Sequence, residues 1–278
     1  MNNNHLFFDM DGTLLNSNNE ILQENINAIK KAKESNIAVS IATGRSINMT
    51  IKYINDLQII DPVVLANGNF IYLPLERKIK VLGKDLNKSV KSYVVEYLKR
   101  VGGTITWFSE KKDYVYSNIN ESSYIDEYST NVLDLSSLSI DELEAFLLSN
   151  NVYHLSLAYV GKGIQDDKTF EQLTEEFRIL EKLNLCKVSS NSNKFIDCDN
   201  IGINKEVAIN YLVKTTNIDP NKIYVFGDSN NDLPMFKKYK NSVAMGNAIA
   251  DLKTIAKYTI EDHNTPGIAN FLQKEFKI

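Results

Sequence analysis

The sequence predicts an α/β protein: a doubly wound, Rossmann-like parallel sheet core with an inserted α+β cap domain. Three observations support this fold class. Continuous apolar segments alternate with segments of helical periodicity at the start of the chain, the same alternation returns near its end, and the region between has a different pattern. Unbroken apolar strands are typical of parallel sheets that helices cover on both faces.

The first part of the chain alternates strands and helices. Residues 5–10 predict a strand that contains the apolar run Leu6, Phe7 and Phe8, and apolar positions recur at helical spacing over residues 21–36. Residues 38–43 predict a second buried strand, which is followed by a helix with apolar positions between residues 47 and 57. Residues 62–67 predict a third strand, so this part is expected to form one side of a parallel sheet.

The last part of the chain repeats this alternation. Residues 205–216 predict a helix, residues 223–228 and 242–245 predict strands, and residues 267–276 predict a closing helix. The chain is therefore expected to return to the sheet that it began.

The middle of the chain has alternating, aromatic-rich strands, which indicate a sheet with one polar face. The predicted elements are strands at 104–109, 113–118 and 152–160, and helices at 86–101, 141–149 and 168–183. The aromatic side chains of these strands fit packing in a core better than contact with a ligand. We predict that residues 81–190 form the cap, and that residues 1–80 and 191–278 form one discontinuous core.

Composition and charge exclude several functions. The 278 residues are 43% hydrophobic, and 31 Lys and Arg against 35 Asp and Glu give a formal charge of -4, so no nucleic-acid partner is expected. No apolar run approaches the roughly 18 to 20 residues of a membrane span. The N-terminus lacks the pattern of a signal peptide, so we expect a cytoplasmic protein with no membrane partner. Cys186 and Cys198 are predicted to be reduced packing residues.

Polar residues gather where the predicted parallel strands end. They are Asp9 and Asp11 at the end of the first strand, Thr43, Gly44 and Arg45 at the end of the second, and Asp228 and Asp232 at the end of a later one. Ligands of open α/β sheets bind at the carboxyl ends of the strands, so these residues are expected to meet at one edge. Clustered carboxylates need a cation or a retained proton, and oxygen ligands suit Mg²⁺.

Lys205 is a further candidate, because it occupies the first turn of a predicted helix that Asn204 is placed to cap. A cation at this position opposes the helix dipole by a few tenths of a kcal/mol or more. A bound phosphate would compensate, since a flexible ammonium is a good point-charge partner for phosphate. A solvated surface lysine is the alternative.

These motifs resemble those of haloacid dehalogenase (HAD) superfamily phosphatases, in the Cof-like subgroup with a large α/β (type IIB) cap. The matching segments are residues 7–16 (FFDMDGTLLN), 42–45 (ATGR), 66–68 (ANG), 204–205 (NK) and 227–235 (GDSNNDLPM). Their order and the size of the insertion also match. The resemblance is specific for the core motifs and weak for the cap.

The resemblance implies a role for each acidic residue. Asp9 is implied as the nucleophile that forms an aspartyl-phosphate, which water then hydrolyses. Asp11 is implied as the general acid and base, a role that requires it to start protonated. Asp9, the backbone carbonyl of Asp11, and Asp228 are implied as Mg²⁺ ligands, and Asp232 is implied to orient a water on the ion.

Other positions are implied to hold the phosphoryl group or the substrate. They are Thr43, Gly44, Lys205, Asn231 and Asn67. A second interpretation of Asn67 stays open, because Asn-Gly between apolar segments is also a strong hairpin signal. For Arg45, a substrate contact, helix packing and a surface ion pair all stay open.

The predicted function is a Mg²⁺-dependent phosphatase that hydrolyses a small phosphorylated metabolite, such as a sugar phosphate, as a monomer or weak homo-oligomer. The small-molecule phosphate ester is the partner that the motifs predict. A phosphomutase or phosphotransferase of the same superfamily would return the phosphoryl group to a hydroxyl. A signalling receiver domain would also combine an acidic site with a phosphorylated Asp, but it spans only about 100 to 150 residues and leaves the cap without a role.

Overall fold

The computed structural model describes residues 3–110, 112–119, 132–158, 167–190 and 195–278. The strands among these residues are β1 (His5–Phe8), β2 (Ala38–Ile41), β3 (Val63–Leu65), β4 (Phe70–Leu73), β5 (Lys78–Val81), β6 (Thr104–Phe108), β7 (Asp113–Ser117), β8 (Val132–Asp134), β9 (His154–Ala158), β10 (Lys187–Ser190), β11 (Phe195–Asp199), β12 (Ile223–Gly227), β13 (Asn241–Ala244) and β14 (Tyr258–Thr259). The helices are α1 (Gln23–Glu34), α2 (Ile47–Asp56), α3 (Lys88–Val101), α4 (Ile140–Ser149), α5 (Asp167–Phe177), α6 (Ile179–Lys182), α7 (Lys205–Thr216), α8 (Leu233–Lys238), α9 (Ala250–Ile255) and α10 (Gly267–Phe276).

The chain divides into two compact units, one made of Met1–Leu82 with Asn204–Ile278 and the other of Gly83–Ile203. We call them the core unit and the cap unit. The predicted core resumes at residue 191, whereas the core unit resumes at Asn204. The physical reason is that β11 pairs antiparallel with β9 and β10, so this strand belongs to the sheet of the cap unit.

The core unit is built on a five-stranded sheet in the order β14-β13-β12-β1-β2, in which every strand pair is parallel. Residues of β1 are buried, since β1 is an interior strand with β12 on one side and β2 on the other. Burial of each large apolar side chain contributes about 1.5 to 3 kcal/mol. The unbroken apolar run at the start of the chain is thus explained by an interior position between two parallel neighbours.

Helices cover both faces of this sheet, so the predicted α/β fold class is confirmed. On one face, Phe7 and Val225 pack with residues of α7, α8 and α9. On the other face, Phe8 lies 4.4 Å from Phe226 between ring centroids, and Phe226 contacts Phe271 of α10. Successive side chains of β1 therefore point to opposite faces of the sheet and pack in two separate cores.

The predicted third strand departs from the parallel pattern. β3 pairs antiparallel with β4, and β4 pairs with β5, to form a separate three-stranded sheet. β3 also lies beside the end of β2, where Ala42 and Val64 form an isolated parallel bridge and the Thr43 amide donates to the Val64 carbonyl at 3.0 Å. The connection from β3 to β4 is the 3₁₀ turn Ala66–Gly68, so the hairpin interpretation of Asn67 is correct. A Cβ atom on Gly68, where φ is +98°, would lie 2.2 Å from the carbonyl oxygen of Asn204.

The cap unit contains a six-stranded sheet in the order β10-β11-β9-β6-β7-β8. Its strand pairs are antiparallel, except that β7 and β8 are parallel. One face of this sheet packs with apolar residues of α3 to α6, and Trp107, fully buried, stacks on Tyr114 at 5.2 Å. Trp107 and Tyr114 therefore pack in the core of the cap unit, as the alternating aromatic pattern of these strands predicts. No helix among the described residues has the length and hydrophobicity needed to cross a membrane.

A buried histidine links the strands of the cap sheet. His154 Nδ1 lies 2.7 Å from Asp199 Oδ1, Nε2 lies 3.8 Å from Asp197 Oδ1, and the ring stacks on Phe108 at 5.0 Å. Burial lowers the pKa of His154, but the charges of Asp199, Asp197 and Asp113 outweigh burial and raise the pKa from 6.5 to about 9. The folded cap unit therefore holds a buried imidazolium at neutral pH.

The ion pair of His154 with Asp199 predicts that the free energy of unfolding depends on pH. Because the folded pKa exceeds the unfolded one, the extra stability is fully present below pH 6.5 and is lost as pH rises through about 9. The full effect is on the order of 3 kcal/mol. Thermal unfolding across this range should show a falling Tm for the wild type and a flatter profile for His154→Gln. Equal slopes for the two proteins would refute the assignment.

Candidate active site

Asp9 follows β1 directly and continues its register, because the Asp9 amide donates to the Phe226 carbonyl at 3.0 Å. The chain then turns sharply back. Gly12 has φ of +73°, and a Cβ atom there would lie 2.5 Å from Asp228 Oδ2. Only glycine fits this turn without displacing the carboxylate, so the Asp-x-Asp-Gly sequence is explained by the close approach of two strand ends.

Three carboxylates converge at this edge of the parallel sheet. Each of Asp9, Asp228 and Asp232 offers an oxygen atom, and these atoms lie within 4.8 Å of one another. Asp9 and Asp232 are buried, and Asp228 is partly exposed. Residues from both ends of the core unit thus form one acidic cluster, as the strand ends predict.

Lys205 lies inside this cluster and is fully buried. Its Nζ atom donates to Asp9 Oδ1 at 2.5 Å and to Asp232 Oδ1 at 2.7 Å. Asn204 caps α7 by accepting from the Val207 amide at 2.9 Å, which fixes the position of the lysine. Burial lowers the pKa of Lys205, but the charges of Asp232 and Asp9 outweigh burial and raise the pKa above its usual value. The surface-lysine alternative is therefore wrong.

One ammonium does not balance three carboxylates. Burial raises the pKa of Asp9 well above its usual value, against the opposing charge of Lys205. Burial, followed by the charge of Asp232, raises the pKa of Asp228 to about 7. Close oxygen donors with excess negative charge form the kind of set that a hard divalent cation binds.

Asp232 is held more tightly than the other two carboxylates. Its Oδ2 atom accepts from the amides of Asp228 at 3.0 Å and Ser229 at 3.1 Å, and its Oδ1 atom accepts from Lys205. A Cβ atom on Gly227 would lie 2.5 Å from the Asp232 carboxylate. Asp232 therefore braces the loop and the lysine.

Several of the residues predicted to hold phosphate or substrate contact one another. Thr43 is fully buried, and its Oγ1 atom accepts from the Arg45 amide at 3.1 Å. Asn231 Nδ2 donates to Asn67 Oδ1 at 3.1 Å. A Cβ atom on Gly44 would lie 3.1 Å from the same Asn67 oxygen. Gly44, Asn67 and Asn231 thus meet, and Asn67 serves both the turn and this contact.

Asp11 is oriented differently from the three clustered carboxylates. Its side chain is 48% exposed and makes a bidentate pair with Arg45, from Nε to Oδ2 at 2.9 Å and from Nη2 to Oδ1 at 2.5 Å. Of the three interpretations of Arg45 above, the structure contains an ion pair, although the arginine is buried, and it also contains packing on α2 through Tyr53. A substrate contact stays a prediction. Among the described residues, the Asp11 carboxylate is not a member of the acidic cluster that could bind a metal.

Two contacts escaped the sequence analysis. Thr13 Oγ1 donates to Asp228 Oδ1 at 3.0 Å, and Asn247 Nδ2 donates to the Gly12 carbonyl at 2.8 Å. Thr13 had a signal, since it follows the turn glycine directly. Asn247 had none, because an Asn in a loop carries no periodicity that points to a partner far away in the sequence.

A parallel sheet that ends in buried carboxylates around a paired lysine, together with a second α+β unit, is the arrangement of an α/β enzyme with an acidic site at the carboxyl ends of its strands. The comparison with protein families identifies the class more closely: the family model for haloacid dehalogenase-like hydrolases matches residues 6–272. The chain belongs to this family.

Known relatives agree with this assignment. In Bacillus subtilis, the 5-amino-6-(5-phospho-D-ribitylamino)uracil phosphatase YwtE is 28% identical, with 96% of each chain covered. Phosphatase YwpJ of the same organism is also 28% identical, over 95% of this chain and 97% of its own. The solved HAD subclass IIB sugar phosphatase BT4131 shares the fold, with a TM-score of 0.80 at 21% identity over 99% of both chains. The predicted resemblance to HAD-type phosphatases of the Cof-like group is confirmed.

Proposed function

We propose that this HAD-type phosphatase is Mg²⁺-dependent and hydrolyses a small phosphate monoester through a phosphorylated Asp9. The observation that carries the proposal is the contact of Lys205 Nζ with both Asp9 and Asp232, beside Asp228, in a buried cluster. A sugar phosphate or a polyol phosphate is the proposed substrate. This choice is supported by the names of two relatives, one acting on a phosphorylated ribityl compound and one on sugar phosphates.

The donor set fits a magnesium ion, because three carboxylates each offer an oxygen atom within 4.8 Å of the others. The one buried ammonium pairs with two of these carboxylates, Asp9 and Asp232. Asp9 and Asp228 are proposed as the side chains that would hold the ion, together with the Asp11 carbonyl. Asp232 would fix the position of these ligands through its bonds to the Asp228 amide and to Lys205. When bound, Mg²⁺ supplies positive charge that reduces the repulsion between the carboxylates and an incoming phosphate.

The proposed reaction has two steps. A carboxylate oxygen of Asp9 attacks phosphorus, the bond from phosphorus to the alcohol oxygen breaks, and Asp11, which enters this step in its protonated form, gives its proton to that oxygen. Water then attacks the phosphorylated Asp9 and loses a proton to Asp11, which releases inorganic phosphate and restores both side chains. Lys205 and Thr43 are proposed to hold the phosphoryl oxygens during both steps.

The first test is phosphate release from a panel of phosphorylated metabolites. We expect release that a chelator suppresses by at least about 100-fold and that added Mg²⁺ restores. Mg²⁺ should also raise the Tm of the wild type, since a ligand that binds the folded state stabilises it. Isomer interconversion without net phosphate release would instead favour the phosphomutase alternative.

A matched pair of variants separates the metal site from general charge effects. Asp228→Asn should lose the Tm increase caused by Mg²⁺, whereas Asp251→Asn, an exposed residue of α9, should keep it. Activity that survives the chelator, or an equal Tm increase in both variants, would contradict the metal assignment.

A further inference from the structure

Arg45 is fixed in place by its surroundings. It is buried, its amide donates to Thr43 Oγ1 at 3.1 Å, and its carbonyl accepts from the Ala66 amide at 2.9 Å. Its guanidinium lies 5.8 Å from the centre of the Tyr53 ring, and Nη2 lies 3.4 Å from Asn19 Oδ1. These contacts involve three separate segments of the core unit, so the guanidinium is rigidly placed.

Asp11, in contrast, has little support of its own. It is half exposed and precedes the turn at Gly12. A short carboxylate at such a site would sample several rotamers, but a planar guanidinium fork binds both of its oxygens and selects one orientation. The pair joins the end of β1 to the end of β2.

We propose that Arg45 is a positioning residue that sets the orientation of Asp11 for proton transfer. This inference rests on the proposed function. Acid catalysis loses efficiency when the carboxyl moves by even a fraction of an ångström, so a rigid partner has a direct effect on rate.

A substrate-binding role for Arg45 would have a different signature. An arginine that clamps the substrate raises KM for every ester that it contacts, and the nature of the alcohol does not matter. A positioning residue acts on kcat, and it acts most where the leaving group is a poor one. The leaving group therefore distinguishes the two roles.

The test compares ribitol 5-phosphate, an ester of a primary alcohol, with p-nitrophenyl phosphate, whose phenolate leaves without a proton. In Arg45→Met we expect kcat to fall by about 30-fold for the first ester and by less than about 3-fold for the second, with KM nearly unchanged. Asp11 is half exposed, so water can solvate it and the variant should fold. The control is Arg100→Met, an exposed arginine of α3 that pairs with Glu176, and it should match the wild type on both esters.

Two further variants keep the proposal falsifiable. Arg45→Lys retains the charge but lacks the fork, so it should recover only part of the loss. In an Asp11→Asn background, Arg45→Met should add no further loss on ribitol 5-phosphate, because its effect passes through Asp11. Equal losses on both esters, a rise in KM alone, or full additivity would overturn the role of Arg45. A wild type that releases no phosphate from either ester would instead overturn the proposed function.

Discussion

Asp9→Asn is expected to lower kcat by at least about 10³-fold while the protein keeps its fold, since the lost group is the nucleophile itself. Asn has nearly the same shape as Asp, and its side-chain oxygen can still accept from Lys205, whose Nζ atom lies 2.5 Å from Asp9 Oδ1. The loss should therefore fall on chemistry, and KM should change little. Steady-state phosphate release and the circular dichroism spectrum test the two parts separately.

The nucleophile role of Asp9 can also be tested directly, by detection of the phosphorylated protein. Acid quenching of the wild type during turnover should trap a phosphoryl group on the peptide that contains Asp9, and Asp9→Asn should show none. Asp251→Asn, on the exposed side of α9, is the control and should behave as the wild type. Near-normal phosphate release by Asp9→Asn would remove Asp9 from the nucleophile role.

Lys205→Met is expected to have the second largest effect. The lysine is fully buried and is the cation in contact with both Asp9 and Asp232. Its removal leaves buried carboxylates without that partner, which destabilises a protein by about 3 to 5 kcal/mol. It also removes a charge that holds the phosphoryl group, so kcat/KM should fall by at least about 100-fold.

Lys91 supplies a matched control, since it is a second fully buried lysine and lies in the cap unit. It pairs with Asp85 at 2.6 Å and donates to the Asn150 carbonyl at 2.9 Å. Lys91→Met should lower the Tm, as Lys205→Met does, but the folded fraction should keep its kcat within about 3-fold, because no reacting atom is involved. Comparable losses of kcat in both variants would mean that Lys205 acts through stability alone.

The sequence was informative about the site because backbone topology fixes it. Parallel strands end at a common edge, so Asp9 and Asp228 could be brought together before any side chain was placed. Lys205 was predicted separately, because a cation in the first turn of a helix needs a compensating partner. The hairpin at Asn67 was less certain, because an apolar run gives burial but does not give the direction of the neighbouring strand. β3 is such a run, yet it pairs antiparallel with β4.

Side-chain orientation was beyond the sequence. The bidentate pair of Asp11 and Arg45 depends on rotamers, and several partners were compatible with the spacing. The boundary of the cap unit was also displaced, because β11 carries two polar residues, Asp197 and Asp199, that interrupt its apolar pattern. These residues contact Ser156 and His154 in the same sheet, and only the folded partners explain their presence in a strand.

The interior position of β1 also has a consequence for the newly made protein. One edge of β1 pairs with β2 soon after synthesis begins, but its other edge pairs with β12, which the ribosome produces only after the whole cap unit. Until then an apolar strand edge is open to chaperones or to other nascent chains. The candidate active site can therefore assemble only late in translation, after β12 has been made and has paired with β1.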